Sequence, residues 1–172
     1  GGSGGEREPR LGRNPRPVWA GRGTLRGSIA RFRFTRLRLN ILLINHYAGS
    51  PQHGMEFRPY YLAREWVRSG HAVTIVAAAF SHVRQRQPAV QGSAIEESID
   101  GIVYRWLPTP VYAGNGLGRV RNIGSFLRQI WRDAGQLAAN VKPDVVIASS
   151  TYPMDIWVAR RIARLAGARL VF

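Results

Sequence analysis

The segment from Asn40 to Phe80 constrains the fold most, because it has the pattern of a complete strand–loop–helix–strand unit. Residues 41–44 form an uninterrupted apolar run, and Val73–Ala79 form a second run rich in β-branched and small residues. Such runs are typical of parallel strands covered on both faces. Between them we predict a helix with Pro59 in its first turn and Gly70 as its C-cap. A right-handed crossover would then join two parallel strands.

The loop after the first strand contains glycines and lies at the edge where open α/β sheets bind ligands. We expect the next helix to begin near residues 53–56, with its free N–H groups and positive dipole end facing a phosphate or carboxylate. The loop lacks the GxGxxG and GxxxxGK[ST] patterns of dinucleotide and P-loop sites. Gly49 and Gly54 also fit ordinary turn glycines, and this alternative stays open.

Composition limits the class of protein. The length of 172 residues and the apolar content fit one globular domain. The chain has no cysteine, which excludes disulfides, thiolate zinc sites and a cysteine nucleophile. The longest apolar runs fall far short of the roughly 18 residues of a spanning helix, and no signal-peptide pattern opens the chain. We therefore expect a cytoplasmic protein, either soluble or peripheral to a membrane.

The net charge of +15 is concentrated at the N-terminus. Residues 1–38 hold ten arginines against Glu6 and Glu8, a net charge of +8, and are rich in Gly and Pro, which predicts disorder. One interpretation is a basic arm that binds nucleic acid or anionic lipid. We favour a non-native extension, because the chain opens GGSGG without an initiator Met. Residues 39–172 carry the remaining net charge of +7, mostly as arginines on predicted helix faces. A solvated surface is the usual explanation, and attraction to phosphorylated substrates or an acidic membrane face is the alternative.

The second half of the chain continues the alternation of strands and helices. Asp100-Gly101 predicts a hairpin turn at the margin of the sheet. A buried strand at Val145–Ala148 is followed by a helix that begins near Pro153 and ends at Gly167. A long helix is predicted between the hairpin and the strand at Val145–Ala148, with an apolar stripe that faces the core. The stripe consists of Val120, Ile123, Phe126, Leu127, Ile130, Trp131, Ala134, Leu137 and Ala138.

These elements predict an α/β fold with a Rossmann-like, doubly wound, mainly parallel sheet over residues 39–172. A final strand starts at Arg169 and ends the chain. Because such a sheet rarely ends on an uncovered strand, we expect this domain to be incomplete and the chain to be a fragment.

Catalytic motifs are sparse. His46, His53, His71 and His82 are dispersed and form no HExxH motif, so no metal site is predicted. The serines after the third buried strand follow no GxSxG pattern, which gives nucleophilic hydrolysis little support. Their hydroxyls would instead bind a polar ligand, or Ser150 or Thr151 would cap the following helix. Catalytic residues remain unassigned.

Three segments together resemble the N-terminal domain of GT-B glycosyltransferases of the family 4 type (group 1): LAREWVRSGHAVTIV, EESIDGIVYRWLPTP and KPDVVIASS. The resemblance covers Leu39–Phe172 and is greatest to enzymes of bacterial surface-polysaccharide synthesis. It implies two Rossmann-like domains facing each other across a cleft. This domain would hold a sugar or lipid-linked acceptor, and a missing C-terminal domain would hold a nucleotide-sugar donor, with no further cofactor. Transfer would retain the anomeric configuration.

The resemblance also implies site residues. Gly49, Ser50 and Gly54 would form the donor-phosphate loop, with a side chain at Gly54 filling the space of the diphosphate. The acceptor or sugar pocket would contain His46, Tyr47, Glu56, Arg58, Ser149, Ser150 and Thr151. Packing or surface ion pairs are the alternative role for His46, Tyr47, Glu56 and Arg58.

The chain departs from this family's pattern at two positions. Relatives often have paired glycines where His53-Gly54 stands here, and a HAH motif where this chain has Ser149. The acid or base role of the second histidine in that motif therefore has no counterpart here. Two other functions stay open: a nucleotide-binding regulatory α/β domain, which predicts affinity for a free nucleotide, and nucleic-acid binding through the basic arm.

Deleting residues 1–38 is expected to leave the melting temperature of the domain unchanged, because a Gly-, Pro- and Arg-rich segment buries too little apolar surface to contribute to folding. Thermal unfolding of the chain with and without the segment measures this. A large drop in melting temperature after deletion would contradict the prediction.

Overall fold

The computed structural model describes residues 1–2, 38–114 and 116–172. The elements described below belong to the unit Thr35–Phe172. The predicted disorder of residues 1–38 falls almost entirely on residues outside the described ranges.

Strands and helices alternate along the described part of this unit. The elements are β1 (Asn40–Ile44), α1 (Arg58–Arg68), β2 (Ala72–Ala78), β3 (Ile95–Ile99), β4 (Ile102–Leu107), α2 (Leu117–Val141), β5 (Val145–Ala148), α3 (Asp155–Ala166) and β6 (Arg169–Val171). The strands form one sheet in the order β3-β4-β2-β1-β5-β6. All neighbours pair in parallel except β3 and β4, which form the antiparallel margin. The predicted α/β fold with a mainly parallel, Rossmann-like sheet is confirmed.

Helices cover both faces of the sheet, because side chains alternate along each strand. Leu42 and Ile44 of β1 face α2 and α3 in one apolar cluster. Ile41 and Leu43 face α1, in a second cluster that contains Trp106. The central strand β1 is therefore buried on both sides, as its continuous apolar run predicts.

The turns follow the predicted chemistry. Asp100 and Gly101 both have positive φ, 51° and 79°, as the two central residues of a type I′ hairpin turn require. Gly167 ends α3 in the left-handed conformation. Gly70 also has positive φ, although the C-cap of α1 is Ser69, one residue earlier.

Two helix starts differ from the prediction. Helix α1 begins at Arg58 rather than at residues 53–56, because the preceding loop closes on itself through the bonds Gly49 N–H to Glu56 O (2.8 Å) and Glu56 N–H to Tyr47 O (3.3 Å). Pro59 does lie in the first turn. Helix α3 begins at Asp155, two residues after Pro153.

The apolar stripe of α2 was predicted incorrectly at two positions. Val120 and Trp131 are 64% and 48% exposed. Asn122 is fully buried instead, because its side chain bonds across to the C-terminal end of β1. Polar residues that enter a core through specific hydrogen bonds leave no trace in a hydrophobic pattern.

No helix in residues 38–114 or 116–172 is long and apolar enough to cross a bilayer.

Candidate functional site

The adjacent parallel strands β1 and β5 form the point where the sheet changes its winding direction. The helix that follows β1 packs on one face and the helix that follows β5 packs on the other, so the two loops diverge from the edge. The Asn45 side-chain amide donates to Ser149 O at 2.6 Å, and the His46 N–H donates to Ser150 Oγ at 3.1 Å. Open α/β sheets bind ligands at such a point. The predicted residues His46, Tyr47, Ser149 and Ser150 are thus brought together.

His46 is the centre of this polar network. Its ring has no exposed surface, and Nε2 lies 2.6 Å from Asn122 Oδ1 while Nδ1 lies 2.7 Å from the Tyr152 hydroxyl. The Asn122 amide nitrogen donates to Pro110 O, which leaves Oδ1 as the acceptor. His46 therefore carries its proton on Nε2 and accepts from Tyr152 O–H at Nδ1.

Burial lowers the pKa of His46 to about 4, and the nearby cations Arg84 and Arg119 act in the same direction, against the hydrogen bond to Asn122. The ring is therefore neutral at physiological pH. Tyr47 stacks on it with ring centroids 4.5 Å apart and accepts from Arg119 Nε through its hydroxyl at 3.1 Å. His46 and Tyr47 are both buried within the domain and form the floor of the edge rather than an open pocket wall.

The loop after β5 is held by an acidic side chain. Asp155 is buried and accepts from the Ser150 N–H at 2.7 Å. The alternative in which Ser150 or Thr151 caps the helix is wrong: the N-cap is Met154, which makes no side-chain capping bond. Ser150 and the exposed Thr151 line a cleft of about 370 Å³ together with Tyr152, Pro153, Asp155, Ile156, Ala148 and Phe172.

The loop from Gly49 to Glu56 is closed by its own backbone. Ser50 and Gly54 form an antiparallel bridge, and the N–H groups of His53 and Gly54 both donate to Ser50 O. These are the amides that were expected to face an anion, and in this conformation they are satisfied inside the loop. The donor-phosphate role of Gly49, Ser50 and Gly54 stays a prediction.

The two loop glycines are required for different reasons. A Cβ on Gly49 would lie 1.9 Å from Gly54 O, so this position needs close backbone approach. Gly54 has a φ of +88°, which disfavours any residue with a Cβ. A side chain at Gly54 would also meet Gln85 at 3.1 Å.

A second polar cleft opens beside this loop. Ser50 Oγ lies 2.9 Å from His53 Nδ1, and His53 Nε2 lies 3.6 Å from Glu97 Oε2, which also accepts from Trp106 Nε1 at 2.8 Å. Because a carboxylate faces Nε2, the proton of the neutral ring belongs on Nε2 and the Ser50 hydroxyl donates to Nδ1. Burial lowers the pKa of His53, although Glu97 opposes the shift.

This second cleft has a volume of about 430 Å³. His53 and Glu97 line it with Gln52, Arg86, Gln87, Pro88, Ala89, Ile95 and Glu96. Glu97 lies on the face of β3 that packs toward Trp106, whereas the adjacent Glu96 pairs with Arg105 at 2.9 Å. Sequence analysis missed Glu97, although the alternation of side chains along a strand separates two consecutive glutamates onto opposite faces.

Arg84 is a buried cation that the sequence did not reveal. Its guanidinium donates to the carbonyls of Ala78 (2.7 Å), Ala79 (3.0 Å) and His46 (3.4 Å) and stacks over Trp106. No carboxylate pairs with it among the described residues. Burial lowers its pKa to about 10, so it keeps its positive charge at neutral pH.

The last two predicted residues adjoin the His46–Tyr47 segment through the backbone, since the Glu56 N–H donates to Tyr47 O at 3.3 Å. Glu56 ends the closed loop, and Arg58 is the exposed first residue of α1. Within the part of the chain that the structure describes, neither side chain forms an ion pair. The same part contains no group of three or more side chains able to hold a metal ion.

His46→Gln is expected to remove part of the acid sensitivity of the domain. In the wild type the unfolded chain takes up a proton near the ordinary histidine pKa of about 6.5, whereas the folded ring resists until about 4. The free energy of unfolding therefore keeps its full value above pH 6.5 and decreases as the pH drops toward 4, by about 3 kcal/mol at most. Urea unfolding across this range measures the slope, with the exposed His82→Gln as control. Parallel curves for wild type and His46→Gln would contradict this assignment.

Gly49→Ala is expected to destabilise the domain by about 2–4 kcal/mol, because the new methyl group overlaps the Gly54 carbonyl and forces the backbone apart. Gly124→Ala is the matched control. Gly124 lies within α2 with nothing within 4 Å of an added Cβ, so its replacement should stabilise the helix by about 0.5–1 kcal/mol. Equal unfolding free energies for wild type and Gly49→Ala would show that the loop does not close as described.

Comparison with known proteins identifies the fold and the family of this chain. A search of curated proteins gave no significant match. Among solved structures, the C-terminal domain of a hydrogenase from Pyrococcus furiosus has a TM-score of 0.52 at 16% identity, covering 76% of this chain and 88% of that one. A second structure of that domain gives 0.49 at 15% identity, covering 77% and 89%. At this identity the first match shows the fold alone. The family model described as glycosyl transferase 4-like domain matches residues 53–172, and the chain therefore belongs to the glycosyl transferase 4-like domain family.

Proposed function

We propose that this domain is the acceptor-binding half of a retaining glycosyltransferase of the GT-B type. It would act in the transfer of a sugar from a nucleotide-sugar to a glycan or lipid-linked acceptor during cell-surface polysaccharide synthesis. The family gives the transferase class. The retaining outcome and the polysaccharide role rest on the sequence resemblance. The observation that carries the rest is the buried Arg84, which pairs with no carboxylate among the described residues and lies close enough to His53 to help lower the pKa of that ring.

Arg84 supports an anionic leaving group. When a sugar is transferred, negative charge grows on the departing nucleoside diphosphate and must be stabilised by groups already in place. Both terminal nitrogens of Arg84 donate to backbone carbonyls, and the side chain is buried, so this residue acts through its field rather than by direct contact. Burial strengthens that field, because the low dielectric of the interior screens charges less than water does.

The His53–Glu97 cleft supports binding of a hydroxylated acceptor. A sugar hydroxyl both donates and accepts hydrogen bonds, and here Nε2–H of His53 donates while the Glu97 carboxylate accepts. The distance of 3.6 Å between these two atoms exceeds an ordinary hydrogen bond, so a hydroxyl competes with a weak contact rather than a strong one.

The donor would be held by a second Rossmann-like domain across the cleft, with the nucleotide-sugar as substrate and no additional cofactor. A lipid-linked acceptor would place the enzyme in the cytoplasm, in peripheral contact with the inner membrane face. Nucleic acid has no role in this proposal.

Glu97→Gln tests the proposal in the enzyme that pairs this chain with its donor domain. The amide still accepts from Trp106 but loses the charge that binds an acceptor hydroxyl, so the acceptor KM should rise about tenfold or more while the donor KM stays unchanged. Glu96→Gln is the control, because Glu96 borders the same cleft but its carboxylate pairs with Arg105 rather than facing His53. Transfer from radiolabelled nucleotide-sugars to a membrane lipid extract measures both.

Identical acceptor KM values for the Glu97→Gln and Glu96→Gln variants would remove this cleft from acceptor binding. The chain without a donor domain is expected to transfer no sugar, so product formed by the chain alone would refute the two-domain proposal. Binding of a free nucleotide without any transfer by the paired enzyme would favour a regulatory domain.

A further inference from the structure

Two tryptophans lie exposed on neighbouring helices on the outside of the domain. Trp131 of α2 is 48% exposed, and Trp157 of α3 is 64% exposed. They line a groove of about 360 Å³ with Leu165, Arg160, Arg161 and Arg164, and we call these six residues the Trp–Arg surface. Single exposed apolar residues are ordinary, but a cluster of them rimmed by charge marks an interaction surface.

The core does not explain these residues. Helix α2 already buries Phe126 and Ile130 against the sheet, and α3 buries Val158 and Ile162. The residues of α3 in the Trp–Arg surface instead follow Trp157 at steps of three, four, seven and eight, which places them along one outward stripe of the helix. The stripe is apolar and cationic together, and its apolar members Trp157 and Leu165 belong to neither core cluster.

The arginines of the surface have no internal counter-charge. The Arg161 guanidinium stacks over the Trp131 ring at 4.6 Å, and none of the ion pairs among the described residues involves Arg160, Arg161 or Arg164. An arginine stacked on an aromatic ring keeps its donors free for an anionic group.

The charge balance of the two helices favours an anionic partner. Helices α2 and α3 together carry seven arginines and two carboxylates, Asp133 and Asp155. Asp133 is paired with Arg132, and Asp155 is buried and bonded to Ser150. On the opposite face of the sheet, Arg64 and Arg68 of α1 both pair with Glu65, whereas Arg58 forms no ion pair among the described residues.

We propose that the Trp–Arg surface docks this domain on an anionic phospholipid bilayer. Tryptophan favours the boundary between lipid tails and headgroups, and arginine extends its apolar stem there while its guanidinium binds phosphate. Each cation near an anionic leaflet adds to the electrostatic attraction. A bilayer offers an apolar layer for the two tryptophans and many anionic headgroups for the arginines. This fits a shallow groove in which apolar and cationic side chains lie next to each other. Peripheral membrane contact is already part of the proposed function. This inference adds the surface that makes the contact and the class of lipid that it binds, and it does not depend on sugar transfer.

Vesicle binding of the full chain tests the inference. Vesicles of phosphatidylcholine with and without phosphatidylglycerol are sedimented with wild-type protein, with Trp131→Ser/Trp157→Ser and with Trp131→Phe/Trp157→Phe. The serine pair should bind anionic vesicles at least about tenfold more weakly, a loss of 1.4 kcal/mol or more, whereas the phenylalanine pair should keep most of the affinity. Brominated lipid should quench the fluorescence of the wild type more strongly than that of the phenylalanine pair.

The control is Tyr61→Ser/Leu62→Ser, which removes two similarly exposed apolar residues, 48% and 41% exposed, from α1 on the other face of the sheet. It should bind as the wild type does. The arginines of residues 1–38 are present in every variant, so they cannot produce a difference between them. Arg160→Gln/Arg161→Gln/Arg164→Gln should reduce the preference for phosphatidylglycerol relative to the wild type.

Three outcomes would overturn the inference: no binding by the wild type, equal binding to both kinds of vesicle, or unchanged affinity of the serine pair. If any of these occurred while the paired enzyme still transferred sugar to a water-soluble acceptor, the proposed function would stand without this surface. If the paired enzyme transferred no sugar while vesicle binding remained as expected, the membrane-docking surface would stand and the proposed function would fail.

Discussion

The hydrogen bonds between the loops after β1 and β5 are the constraint on which the rest of the site depends. Parallel neighbours with helices on opposite faces send their chains apart, so nothing in the sheet itself fixes the two loops. Asn45 and His46 do so by bonding to Ser149 O and Ser150 Oγ. Asn122 then ties α2 to the same point through His46. Three elements far apart in sequence are thereby held at one edge.

Burial removes this network from water, and the cost of desolvating a charge determines which of its side chains are charged. A histidine without solvent exposure remains neutral, and its two ring nitrogens are held by one acceptor and one donor, which fixes a single tautomer. Arg84 cannot become neutral in the same way, so its charge is stabilised by carbonyl dipoles instead. The edge thus combines a neutral polar floor with a fixed positive charge, an arrangement that favours an approaching anion.

Sequence reasoning captured the features that repeat and missed those that depend on a single long-range contact. The apolar runs of β1 and β5 predicted their burial, and Asp100-Gly101 predicted the hairpin, since both signals are local. Asn122 and Arg84 were missed because a polar residue in a helix or loop is ordinarily solvated, and only its distant partners show otherwise. Trp131 was assigned to the core because periodicity does not distinguish a wide buried stripe from an exposed aromatic at its border.

The conformation of the loop from Gly49 to Glu56 determines at which residues a substitution can test function. At Gly49 and Gly54 any side chain changes the backbone first, because the one position contacts a carbonyl and the other has positive φ beside Gln85. Loss of activity at either glycine therefore follows from loss of the loop and does not identify a ligand. Glu97 differs, because its carboxylate reaches the cleft while an isosteric amide preserves the bond from Trp106. Its neighbour Glu96 shares the strand and borders the same cleft, but its carboxylate pairs with Arg105, so the two variants lose the same charge and differ in whether the lost carboxylate faces His53.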